Sequence, residues 1–138
     1  ESQYETRVAF IAESLIADLK STSAAVSTPG PNPGDPPTIT REARVLGPDL
    51  DALATINLEE TADLYFAVDE EGRVSEALTA TAWDSGSPGS GFIARVTSIY
   101  DTPDHPGLVE LQLVVDAPAA APADARKSYP FVTLLSLP

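Results

Sequence analysis

The chain has 138 residues, with 21 acidic against eight basic side chains, a net charge of −13, 43 % hydrophobic residues and no cysteine. That length makes one domain able to bury a core without staples, and the missing thiols exclude thiolate metal sites and thiol catalysis. A surface this negative repels phosphate backbones, so no nucleic-acid partner is expected, and no stretch approaches the ~20 apolar residues of a membrane span.

From Tyr4 to Lys20, apolar side chains recur in steps of three and four at Tyr4, Val8, Ile11, Leu15 and Leu19. This is the stripe of an amphipathic helix, and these five residues are its expected packing face. Ala12 and Ile16 widen the stripe, while Glu5, Arg7, Glu13, Asp18 and Lys20 fall mostly outside it. Ser21-Thr22-Ser23 lowers helix propensity, so residues 1–26 are assigned to the helix and its end. Residues 27–37 hold five prolines in eleven positions. Proline lacks the amide donor that a helix interior or central strand needs, so this segment reads as an exposed loop spacing helix from sheet.

Residues 38–138 read as a mixed region followed by an antiparallel sheet. Pro48, with Asp49 and Asp51 beside it, predicts a short helical turn over 48–54. Leu64–Asp69 predicts a strand, Glu70-Glu71-Gly72 a turn and Arg73–Thr81 the returning strand of a hairpin. A loop is expected over 84–91. Phe92–Tyr100 predicts a strand with Phe92, Ala94 and Val96 on one side, and residues 101–107 a turn dense in breakers. In Leu108–Val115, one alternate set (Val109, Leu111, Leu113, Val115) is purely apolar, the mark of a half-buried antiparallel strand. An alanine- and proline-rich loop over 116–128 leads to a last strand, Tyr129–Leu137. The expected fold class is α+β: a single domain, 1–138, with one N-terminal amphipathic helix packed on an antiparallel β-meander.

Chemistry has few candidates. Asp84-Ser85-Gly86 matches the tripeptide of aspartic proteases, but their mechanism needs two such carboxylates sharing a proton, and one copy is present. The next five residues, Ser87-Pro88-Gly89-Ser90-Gly91, look like linker, so the tripeptide reads as a turn. His105 is the only histidine. It lies between Asp104 and Pro106 in a predicted exposed turn, and no glycine-flanked nucleophile elbow accompanies it. Paired acids at Asp49/Asp51, Glu59/Glu60, Asp69/Glu70/Glu71 and Asp101/Asp104 are ordinary in so acidic a chain. Asp49-x-Asp51 is only a fragment of a calcium loop. No catalytic, cofactor-binding or metal-binding residue is nominated, and neither a cofactor nor an enzymatic activity is expected.

The stretch Thr6–Leu19, then Phe92–Val96, Leu108–Val115 and Phe131–Leu135, resembles the soluble ectodomain of type IV pilin-like proteins. The likeness is nearest to the minor pilins and the minor pseudopilins of type II secretion. The resemblance implies a pilin-like fold in which the helix carries the meander, and a hydrophobic helix upstream of Glu1, which is absent from this sequence. It further implies anchoring in the inner membrane, a periplasmic or extracellular ectodomain, and a role as structural subunit of a pilus or secretion pseudopilus. The implied partners are other pilin or pseudopilin subunits and secreted cargo, met through the polar helix face and loops 27–37, 84–91 and 116–128. The alternative is a non-filament, β-rich binding domain of the cell surface or periplasm.

Overall fold

The apolar stripe of the first twenty residues becomes helix α1 (Ser2–Thr22) in a computed structural model that describes residues 2–87, 91–99 and 107–138, with side chains from Glu5 onward. Val8, Ile11, Ala12, Leu15 and Leu19 are each at most 2 % exposed, so the expected packing face is buried from its second position on. Tyr4 lies outside the described side chains. Each aliphatic side chain sealed there contributes about 1.5–3 kcal/mol by removing apolar surface from water. The C-terminal turn of α1 is tied to the next sheet, where the Thr22 hydroxyl accepts the Arg44 amide at 2.8 Å.

Eight strands follow among the described residues, and they form two antiparallel sheets. The first holds β1 (Ala24–Thr28), β2 (Thr38–Leu46) and β3 (Ala52–Asn57) in that order. The second holds β4 (Ala62–Val68), β5 (Val74–Leu78), β6 (Phe92–Ile99), β7 (Leu108–Ala117) and β8 (Lys127–Ser136), in spatial order β5-β4-β6-β7-β8. Helix α1 packs along β2 and also touches β7 and β8.

Register sets which side chains meet the helix. One rung crosses four strands of the larger sheet as Leu64, Val96, Leu113 and Phe131, and the next as Phe66, Ala94, Val115 and Tyr129. With Val109, Leu111 and Leu135, these rungs make the inner face, and Ala43, Val45 and Ile56 of the smaller sheet close the same core. Ser98 is a fully buried polar residue on that face, and its hydroxyl donates to the Glu60 carbonyl at 3.0 Å.

On the opposite face lies a second helix, α2 (Ala80–Ser85), started by the Thr79 hydroxyl accepting the Ala82 amide. It packs on β4 and β5 and meets a single 3-10 turn at Ala123–Ala125.

The α+β expectation, with one helix on a single pilin-like meander, is overturned. The domain is mostly β, with two separate antiparallel sheets and one long helix. The three-stranded sheet is what sequence reasoning missed. Its edge strand β1 is exposed along its whole length, so no buried face writes an alternation into residues 24–28, which instead read as helix end and loop. In β2 the inward positions are Ala43 and Val45, and alanine is a weak strand signal. The proline-rich segment therefore closes the β1–β2 hairpin rather than spacing helix from sheet. The expected helical turn over 48–54 is a tight turn followed by β3, and the returning strand expected to reach Thr81 stops at Leu78, where Thr79 caps α2.

Candidate functional site

Three segments converge on a groove of about 560 Å³: Phe10, Ser14, Leu15 and Asp18 from α1, Leu46, Gly47, Pro48 and Leu50 around the β2–β3 turn, and Glu71 to Val74 around the β4–β5 turn. Each wall has a local reason for its shape. The β4–β5 turn is clamped by Asp69, whose Oδ1 accepts the amides of Glu71 and Arg73, both at 2.9 Å. Gly72 follows at φ 90°, and a Cβ there would stand 3.0 Å from the Phe10 ring. Glycine thus serves both the backbone conformation and the close approach of α1.

The β2–β3 turn closes through Gly47, whose amide donates to the Asp51 carbonyl at 2.8 Å and whose carbonyl accepts the Leu50 amide at 3.0 Å. This geometry puts Leu50 at φ 64°, a left-handed conformation that costs a non-glycine residue about 1–2 kcal/mol. Leu50 is 77 % exposed, and Phe10, which lines the same groove, is 56 % exposed. Leucine at this position therefore gains no burial in return for its strain.

The charged lining is Asp18, Glu71 and Arg73. Burial pushes the Asp18 carboxyl above the usual aspartate range, because a carboxylate in a partly dry site loses hydration. The ion pairs among the described residues are Arg41–Glu59 at 3.4 Å, Arg44–Glu42 at 3.6 Å and Arg126–Asp116 at 3.6 Å, so none of them neutralises Asp18.

The sequence-predicted candidates do not assemble into a reaction centre among the described residues. Asp84 and Ser85 sit in the last turn of α2 with Gly86 as its C-cap. Asp49 and Asp51 stand exposed on the β2–β3 turn, and Glu59 is held by Arg41. His105, Asp101 and Asp104 lie outside the described residues, as do positions 88–90 of the expected 84–91 loop. No group of three or more metal-ligating side chains is placed together among the described residues, and no helix there is long and apolar enough to cross a membrane. Loop 116–128 is shorter than expected, since β7 runs to Ala117 and β8 begins at Lys127.

A second feature missed in sequence is a polar knot under α2. Arg126 stacks on Trp83, with its guanidinium carbon 4.4 Å from the ring centroid, and pairs with Asp116. The side chains of the pair are 0 % and 3 % exposed. Asp116 and Arg126 flank the β7–β8 connection, but Trp83 lies far from both in sequence, and only the fold brings α2 onto them. The Leu50 strain had a faint sequence signal in the Gly47-Pro48-Asp49 turn, but the left-handed residue could not be located from it.

A further apolar pair, Val132 and Leu134, stands outward on edge strand β8. Pro130 removes one amide from that edge, which blunts pairing with a foreign strand.

No protein-family model matches this chain, and no curated protein or solved structure is significantly similar to it.

Proposed function

We propose that this domain is a structural subunit that works by protein contacts, in a pilus or secretion pseudopilus of the cell envelope. The observation that carries the reading is the division of α1 into two faces. Val8, Ile11, Leu15 and Leu19 are sealed into the core, while Glu5, Thr6, Arg7, Phe10 and Glu13 look away from it. A helix fixed along one side by two sheets acts as a rigid handle, able to transmit the position of an upstream hydrophobic helix to the ectodomain. Its polar face and exposed Phe10 then meet neighbouring subunits. The net charge of −13 biases partner choice towards basic surfaces.

These 138 residues contain no cysteine, so introduced thiols meet no native one within the domain and allow a direct test. The double variant Glu5→Cys with Glu13→Cys, placed in the full-length gene product and oxidised, should yield crosslinked oligomers in the envelope fraction of intact cells. A product that stays monomeric and leaves the envelope with soluble proteins overturns the filament reading. The second reading, a non-filament binding domain of the cell surface or periplasm, is favoured by the groove, which needs no filament to be used.

A further inference from the structure

The groove between α1 and the two turns combines features that folding alone leaves unexplained. Leu50 is apolar, 77 % exposed and held at φ 64°. Strain of this kind, at a residue that buries little of its surface, points to a contact made outside the domain. Phe10 lines the same groove with 56 % of its surface exposed, so two large apolar side chains are left open to solvent there. A small-molecule site would instead enclose most of its ligand between concave walls. Protruding apolar anchors with charges around them are the anatomy of a protein interface.

Charge specifies the occupant further. Asp18 and Glu71 against Arg73 leave the lining with one net negative charge. Asp49, Asp51 and Glu70 stand exposed on the flanking turns, and Asp18 is half-buried and takes part in none of the three ion pairs named above. We infer that the groove seats a segment of a partner protein in which a lysine or arginine adjoins an apolar side chain. The apolar group packs between Phe10 and Leu50, and the cation lies against Asp18 and Glu71. This deepens the protein-contact reading of the domain and rests on it, but it does not require a filament.

The test uses the whole chain and short fluorescein-labelled peptides of alternating leucine and lysine, read by anisotropy. Two control peptides carry glutamate in place of lysine, or serine in place of leucine. The leucine–lysine peptide should bind, with either replacement weakening it about tenfold or more. Leu50→Ser and Asp18→Asn should each weaken it by a similar factor, with thermal unfolding showing both variants folded. Val132→Ser, on the far face of β8, should leave binding unchanged.

Equal binding of the glutamate peptide overturns the inference, as does parental affinity in Leu50→Ser or binding that follows lysine content without leucine. So does a dimer of this chain in sedimentation that Leu50→Ser dissolves, since the occupant is then a second copy. Peptide binding that fails while the Glu5 and Glu13 crosslinks form removes only the groove's occupant. Binding without crosslinks removes only the filament.

Discussion

On its inner face the five-stranded sheet meets α1 through buried side chains that, among the described residues, are apolar apart from Ser98, whose hydroxyl is bonded. At one end of its outer face the same sheet is covered by α2 and residues 117–126, through Trp83, Arg126 and Asp116. Beneath that cover Ile93 and Ala67 are fully buried, as is Ala119 of the cover itself, yet the Arg126 nitrogens, Asp116 Oδ1 and Trp83 Nε1 make no hydrogen bond among the described residues. The inner face is held by area removed from water, which depends on volume and fit. The outer knot is held by two charges that have lost their water and have chiefly each other. Desolvation accordingly draws the Arg126 guanidinium below its usual range, against the opposing pull of Asp116 and Asp84. Such a pair adds little net stability while intact and is costly to break.

The comparison is sharpest when one charge of the knot is removed. Asp116→Ala leaves a buried arginine uncompensated and should cost about 3–5 kcal/mol in urea unfolding. Replacing both partners, Asp116→Leu with Arg126→Met, should recover most of that loss. If the double variant is no better than the single, the knot is held by something other than mutual charge.

On the apolar face, Leu15→Ala removes volume and should cost about 2–5 kcal/mol. The loss should be nearly the same at low and high salt, whereas the parent-to-Asp116→Ala difference is the more sensitive to ionic conditions. Gly86→Ala should cost about 1–3 kcal/mol. Gly86 is at φ 104°, and a Cβ there would meet the carbonyls of Ala120 at 2.7 Å and Ala121 at 2.8 Å. Thermal melting should show this loss without disturbing the helix signal of α1.

The smallest effect lies at the groove. Because burial raises the Asp18 pKa in the folded state, the fold binds a proton there more readily than the unfolded chain does. That contribution is fully present below the unfolded pKa and is lost as pH rises through the raised folded value. Asp18→Asn should therefore be slightly more stable than the parent at neutral pH, with the difference closing as pH falls below the ordinary aspartate range. A pH series of melting curves checks the sign, and a variant less stable than the parent at neutral pH would show that Asp18 is held by a favourable partner.

Periodicity made the long helix and the deep strands legible. Val8, Ile11, Leu15 and Leu19 lie on the buried side of α1, and Val109, Leu111, Leu113 and Val115 on the buried side of β7, because one-sided burial imprints the local repeat on the residue pattern. The groove was legible only in part. The Glu70-Glu71-Gly72 turn could be expected from its residues, whereas 48–54 reads as a helical turn in place of the tight turn and strand that form there, and nothing in the sequence brings both turns to the same stretch of α1.

The amino-acid sequence by itself determined local features: which segments present one apolar face, where the chain turns, and that the surface is strongly acidic. Tertiary structure alone decided the rest. It divided the strands into two sheets, recruited the exposed edge strand β1 by pairing with β2, and brought Leu50 and Phe10 to one groove and Trp83 onto the Arg126–Asp116 pair. Backbone pairing at a solvated edge, and contacts between residues distant in the chain, leave no periodic trace, since neither constrains neighbouring side chains to alternate between water and core.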